Sequence, residues 1–434
     1  MRNVSQFLIA APASGTGKTT VSRGLMALLV RNGYLVQPYK CGPDYIDTKF
    51  HERVCKRPSY NLDSFMLSEN HIIDLYNLHA HDADVCVVEG MMGLFDGYDR
   101  DRGSCSEVAR ILQLPVILVV NAQSAAYSLT ALISGFLHLK RDVKIVGVLF
   151  NNVSSQKHKQ MLWNVCEDLH VPCFGYIPKR QELMQQSRYL GLDFSEMNGD
   201  DGLADLIEEH VDWRGILQAT QCEVPTIEVP KKIFQQNMKI WVARNDDSFS
   251  FIYAEHLDLL HNMGNVTFFN PEDNQEIPGD IDILYLPGGY PEKHGDALVA
   301  AKTTRGSIKQ FIENGGKTLA ECGGMIYLSQ GIVADDDNYY PMVGVLPFKI
   351  SMRKQDRKLS LGYRVFDWKG KRCCGHEFHY TQFLPDEPVP PSEFKVFDAL
   401  NRPVITPIFR YKNLISSYTH LYWGESGFVD LFES

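Results

Sequence analysis

Val4-Ser5-Gln6-Phe7-Leu8-Ile9-Ala10-Ala11, continuing into Pro12-Ala13-Ser14-Gly15-Thr16-Gly17-Lys18-Thr19-Thr20, is the stretch on which the fold turns. An apolar run without alternation reads as a strand buried on both faces, and such strands belong to parallel sheets. A glycine-rich turn follows, then a helix over Thr19–Arg31 with Gly33 as its stop signal. Backbone N–H groups of a loop so placed point at phosphate oxygens, and the helix N-terminus adds partial positive charge. Lys18 is expected to reach β- and γ-phosphates, and the Thr19 hydroxyl to ligate Mg²⁺. Gly15, Thr16, Gly17 and Thr20 complete the expected nucleotide cradle. The strict pattern asks for glycine at position 12, where this chain has Pro12.

Working outward, further short Val/Ile/Leu runs at Tyr34–Tyr39, Asp84–Val88, Pro115–Asn121 and Val143–Asn151 alternate with helical stretches. This is the pattern of an α/β domain with a parallel sheet, assigned to residues 1–195. Open sheets place ligands at the carboxyl ends of their strands. There stand Glu89, a candidate metal ligand, and the loop Lys40-Cys41-Gly42-Pro43-Asp44-Tyr45-Ile46-Asp47. Gly90-Met91-Met92-Gly93-Leu94-Phe95-Asp96-Gly97 reads as a ligand-covering segment carrying one acid. Residues 196–237 change character, acidic and helical and then proline-containing, and are assigned as a linker.

A second α/β domain is expected over 238–434, with strands at Lys239–Ala243, Ile281–Leu286 and Thr318–Ala320. Lys317-Thr318-Leu319-Ala320-Glu321-Cys322-Gly323-Gly324-Met325 reads as a strand, a sharp turn at Cys322 and a helix, the elbow that presents a nucleophile. A thiol at a helix N-terminus is expected to ionise more readily. The Gly323 N–H and the turn Pro287-Gly288-Gly289-Tyr290 offer oxyanion donors, with Gly289 the candidate beside Gly323. His420, in Ser416-Ser417-Tyr418-Thr419-His420, is the candidate base. His376-Glu377-Phe378-His379 lacks the HExxH spacing and reads as a strand, with His376 and Phe378 on one face and Glu377 and His379 on the other, so zinc is not expected.

Composition bounds the partners. The chain has 434 residues and a net charge of −10, which disfavours a non-specific nucleic-acid binder. No apolar run approaches the ~20 residues of a membrane span, and the N-terminus does not read as a signal peptide. Ten cysteines without CxxC pairs suggest thiols in a reducing cytoplasm, nine of them structural and Cys322 reactive.

Taken together, APASGTGKTT, KCGPDYID, NLDSFML, VVEGMMGLFDG, LPGGYPE, ECGGMIYLS, GHEFHYT and SSYTHLYW make the chain resemble the cobyrinate a,c-diamide synthase family of glutamine amidotransferases over its full length. The resemblance implies a P-loop domain similar to dethiobiotin synthetase, followed by a class I glutamine amidotransferase domain. It implies a carbon–nitrogen ligase that amidates the a and c acetates of cobyrinate with glutamine nitrogen, through an acyl phosphate made from ATP with Mg²⁺. Cys322 and His420 match the family's dyad, and Tyr422 stands where full triads carry Glu. Lys18, Thr19, Lys40 and Glu89 match ATP and Mg²⁺ positions. Asp44 matches a position near metal and macrocycle, while Tyr45, Asp47 and Asp96 fall to the macrocycle. A homodimer is compatible with this reading, and ammonia is expected to travel sheltered from water. Nickel-sirohydrochlorin and hydrogenobyrinate are alternative substrates. A partitioning-type switch ATPase with a non-catalytic second domain is the alternative from another class.

Overall fold

The protein is described by a computed structural model over residues 2–179, 200–224, 237–425, 427 and 431–432. Its contacts divide the chain into two compact units, Met1–Pro230 and Lys231–Ser434.

In the first unit strands and helices alternate. The order opens β1 (Arg2–Ala10), α1 (Lys18–Arg31), β2 (Val36–Cys41), α2 (Asp47–Cys55), β3 (Tyr60–Leu62) and α3 (Glu69–Ala80). It continues β4 (Val85–Glu89), α4 (Cys105–Ile111), β5 (Val116–Asn121), α5 (Leu129–Leu139), β6 (Ile145–Val153), α6 (Gln156–Asp168) and β7 (Cys173–Pro178). It closes with α7 (Asp200–His210), α8 (Trp213–Ala219) and β8 (Gln221–Val224). Among the described residues the sheet runs β3-β2-β4-β1-β5-β6-β7, with β8 added to β1. Every pairing in that path is parallel, and β8 alone runs antiparallel. The register sets Ile9 and Lys40 on either side of Glu89, so three strands deliver their carboxyl ends to one edge. Phe7, Ile9, Val87, Val119 and Leu149 of the sheet pack with Leu25, Leu28 and Leu29 of α1. Each such side chain contributes roughly 1.5–3 kcal/mol by leaving water.

Residues 200–224, within the stretch expected to be a linker, belong to the first unit. α7 lays Leu203, Ala204, Leu206 and Ile207 against α1, and β8 pairs with the start of β1. The approach is close: a Cβ on Gly24 of α1 would stand 2.8 Å from the Ile207 side chain. Arg23 Nη2 pairs with Asp200 at 2.6 Å, so one of the acids that suggested a linker is tied to the domain. The expected boundary near 195 therefore moves toward 230. Residues 196–199 and 225–236 of that assignment lie outside the described residues.

The second unit opens with β9 (Met238–Ala243), α9 (Ala254–Met263), β10 (Gly264–Phe269) and β11 (Ile283–Leu286). Then come α10 (Gly295–Ala300), α11 (Lys302–Glu313), β12 (Lys317–Glu321) and α12 (Gly323–Leu328). Short strands β13 (Gly331–Val333), β14 (Tyr339–Pro341) and β15 (Lys349–Ser351) precede the long hairpin β16 (Ser360–Trp368) and β17 (Lys371–His379). The unit ends with β18 (Gln382–Phe383), β19 (Val396–Phe397), β20 (Pro403–Val404), β21 (Ile408–Tyr411), β22 (Leu414–Ser417) and β23 (His420–Tyr422). The main sheet runs β10-β9-β11-β12-β22-β21, parallel except for its last pair. Two further sheets, β14-β13-β15-β18 and β20-β19-β16-β17-β23, form beside it, and the second pairs β17 with β23 and sets His376 beside His420. No helix among the described residues is long and apolar enough to cross a membrane.

Candidate functional sites

In the first unit the loop after β1 is held open by its own polar groups. Gly15 and Gly17 take left-handed φ values of 72° and 103°, a region that side chains disfavour. Asn151 supports the turn from the end of β6, donating from Nδ2 to the Thr16 carbonyl at 2.7 Å. A Cβ on Gly17 would meet that same nitrogen at 2.1 Å. Thr16 Oγ1 donates back to the Ala13 carbonyl at 2.7 Å. Lys18 Nζ donates to the carbonyls of Ala13 and Met92, tying the loop to the segment after β4. Burial and the neighbouring Lys40 ammonium lower the Lys18 pKa. The Pro12 carbonyl packs against Gly93, where a Cβ would come within 2.6 Å.

Glu89 is the hub of this edge. Its Oε1 accepts from Thr19 Oγ1 at 2.7 Å, and its Oε2 meets His51 Nε2 at 2.8 Å. His51, on α2, is steadied through Nδ1 by Ser59 at 3.0 Å. Lys40 Nζ lies 3.1 Å from Asp47 and 3.5 Å from Glu89, and donates to the Gly90 carbonyl at 3.0 Å. Burial opposes the charge on Glu89, but Lys40, His51 and Thr19 outweigh it and hold the carboxyl well below its usual range. Burial likewise opposes the Lys40 ammonium, and Glu89, Asp47 and Asp44 overcome it. Removing one partner from a buried pair of this kind costs about 3–5 kcal/mol.

Lys40 and Asp47, each 2% exposed, are held in a buried ion pair. Asp44 Oδ1 accepts from the N–H groups of Ile46 and Asp47, although its charge still acts on Lys40. Tyr45 is buried in the same loop. Asp96 accepts from the Gly93 N–H at 3.0 Å and so closes the turn it sits in. Thr20, half-buried, lies in the first turn of α1. Thr19 and Glu89 remain as adjacent hard oxygen donors at the strand edge, a set that suits Mg²⁺, which keeps several waters and takes few protein ligands.

In the second unit β12 ends at Glu321 and the chain turns abruptly. Cys322 has φ 46° and ψ −105°, a strained conformation for a side-chain-bearing residue, and its N–H donates to the Ser417 carbonyl at 2.7 Å. Gly324 lets the elbow approach β11: a Cβ there would stand 2.0 Å from the Leu286 carbonyl. Gly289 and Gly323 come together as expected, since a Cβ on Gly323 would lie 2.8 Å from the Gly289 nitrogen. His420 lies against the same turn, with its Cε1 2.1 Å from where a Gly288 Cβ would be. Burial lowers its pKa to about 3, so the imidazole is neutral.

Ionisation of the thiol runs against expectation. Burial first, and then the Glu292 carboxylate, push the Cys322 pKa up, outweighing the Gly323 N–H. Tyr422, at the place of the missing triad acid, donates its hydroxyl to Glu255. On β17, Glu377 and His379 do share a face and meet at 2.8 Å, with Arg364 and Thr406 also on Glu377. The His379 ring stacks on Tyr418 at 3.6 Å. Among the described residues no group of three or more His, Cys, Asp or Glu side chains gathers as a metal cage.

Comparison with known proteins agrees with this division. A family described as the CobQ/CobB/MinD/ParA nucleotide binding domain matches residues 7–189. The CobB/CobQ-like glutamine amidotransferase domain matches residues 239–428. The cobyrinate a,c-diamide synthase of Caldanaerobacter subterraneus subsp. tengcongensis is 39% identical over 87% of this chain and 86% of that one. That of Priestia megaterium is 36% identical over 97% of this chain and 94% of its own. The hydrogenobyrinate a,c-diamide synthase of Brucella anthropi is 34% identical over 96% of this chain and 98% of its own.

Proposed function

Since this chain belongs to the cobyrinate a,c-diamide synthase family of glutamine-dependent carbon–nitrogen ligases, we propose that it amidates the a and c acetates of cobyrinate in turn. ATP phosphorylates an acetate carboxylate at the first unit, and ammonia displaces phosphate from the acyl phosphate. Positioning and charge stabilisation carry phosphoryl transfer, with little covalent work for the protein. Lys18 and the N–H groups of residues 15–19 cradle the phosphates, and Lys18 must leave the Ala13 and Met92 carbonyls to do so. Thr19 and Glu89 are the residues that would hold Mg²⁺, which when bound supplies charge neutralisation on the transferring phosphoryl group. Lys40, Asp47 and His51 act through Glu89, keeping it ionised and oriented.

At the second unit Cys322 attacks the glutamine amide carbonyl after giving its proton to His420, and the N–H groups of Gly289 and Gly323 receive the oxyanion. Its collapse returns that proton to the leaving nitrogen and breaks the C–N bond, releasing ammonia and leaving a glutamyl thioester that water hydrolyses to glutamate. The single observation that carries this reading is the strained elbow at Cys322 facing the paired glycines.

The decisive experiment incubates cobyrinate with ATP, Mg²⁺ and glutamine and follows the corrinoid by mass spectrometry. Two successive exchanges of OH for NH₂ are expected; unchanged mass would overturn the assignment. The Brucella relative supports hydrogenobyrinate as a second reading, and the same assay with the cobalt-free macrocycle separates the two. Cys322→Ala is expected to abolish glutamine-dependent turnover while high ammonia still supports amidation. Loss of both in a folded variant would sink the two-site mechanism.

A further inference from the structure

Glu292 follows the paired glycines, in the short 3-10 turn Pro291–Lys293 that packs against the elbow. Pro291 Cδ lies 2.9 Å from where a Gly323 Cβ would be, which puts the turn at the nucleophile's own helix. The Glu292 Oε2 is sealed from solvent and has no hydrogen-bond partner among the described residues. Lys293 extends over the Tyr290 ring at 4.1 Å, and His294 lies 3.1 Å from Asp247 and 3.2 Å from Glu272. A buried carboxylate oxygen left unpaired costs free energy, and a cation is the ligand that relieves it.

Glutamine carries such a cation, its α-ammonium, at the end remote from the scissile amide. Resting on the glutaminase reading above, we propose that Glu292 is a specificity-determining residue that receives the α-ammonium of glutamine. This contact has a second effect. The Glu292 carboxylate stands among the groups that oppose ionisation of Cys322, with Glu377 and Glu321 as the other acids and Tyr418 also within its field. Its own pKa is pushed up to about 7 by burial, with Asp247 adding to the rise and Lys293 and His294 opposing it. An arriving ammonium neutralises that opposing charge and so eases ionisation of the thiol, with burial, the larger cause, still opposing it.

The test compares L-glutamine with glutaramate, the same chain and amide without the α-ammonium. Wild type is expected to favour glutamine by roughly tenfold or more in kcat/KM. Glu292→Gln is expected to erase most of that preference through KM for glutamine, with Glu292→Asp recovering part of it. In the free enzyme, Glu292→Gln is also expected to move the pH profile of Cys322 alkylation by iodoacetamide to lower pH. Melting curves verify that both variants are folded. Equal losses on the two substrates, or an unmoved alkylation profile, overturn the assignment alone. Failure of wild type to hydrolyse glutamine at all overturns the glutaminase reading and this assignment with it.

Discussion

Glu321, one position before the nucleophile, is a carboxyl group that burial has converted into a proton holder. Tyr285 Oη donates to it at 2.7 Å and the Leu421 N–H at 2.9 Å, yet burial outweighs both and raises its pKa to about 8. The native state thus binds this proton more tightly than the unfolded chain, where Glu titrates near ~4.3. Its contribution to stability is complete below that value and is lost as pH rises through about 8. Urea midpoints are expected to fall between pH 5 and 9, and Glu321→Gln to flatten that fall; an unchanged slope in the variant would refute the account. At the phosphate loop, Lys18→Ala is expected to lose amidation with either nitrogen source while glutamine hydrolysis persists. Gly15 to Thr19 and Cys322 were legible because each sits in a run whose spacing has one chemical use. Glu292 and Asn151 were not, since a lone side chain brought in from a neighbouring turn or strand leaves no local pattern. The dampened thiol was illegible too, because burial is a tertiary property.

Among the elements, α2 shows how a signal can be present and still be passed over. Asp47 and His51 are one helical turn apart and both buried, so the helix aims one face at Lys40 and Glu89. His51→Phe leaves the Glu89 Oε2 without that partner, and a loss of about 1–3 kcal/mol in thermal or urea unfolding is expected. Stability equal to wild type would show that water replaces the ring. The acidity of α7 concealed its apolar stripe, Leu203, Ala204, Leu206 and Ile207, which follows helical spacing. Ile207→Ala is expected to cost about 2–5 kcal/mol, measured on the first unit's unfolding transition. Long apolar strands such as β5 and β6 were readable from sequence, whereas β3 is three residues long and offers too little periodicity. β8 is only four residues long and pairs with the first residues of β1, ahead of the stretch that pairs with β5.

For the whole molecule, the two units make separate chains a fair test of where one domain ends. A fragment of residues 1–195 lacks α7 and bares the Gly24 face of α1, and it is expected to aggregate or melt early. A fragment of residues 1–230 is expected to fold and bind ATP, as judged by circular dichroism and calorimetry. Equal stability of the two fragments would restore the linker reading. The crowding around His420 also has a meaning for sequence variation. Gly288 has no room for a single added carbon, because the His420 ring occupies that space. In a saturation library screened for glutamine-dependent amidation, position 288 should therefore admit glycine alone. Gly306, exposed within α11, meets nothing within 4 Å, and alanine there should add roughly 0.5–1 kcal/mol. The same letter thus marks an immovable position and a free one, and an empty space the size of a methyl group is what tells them apart.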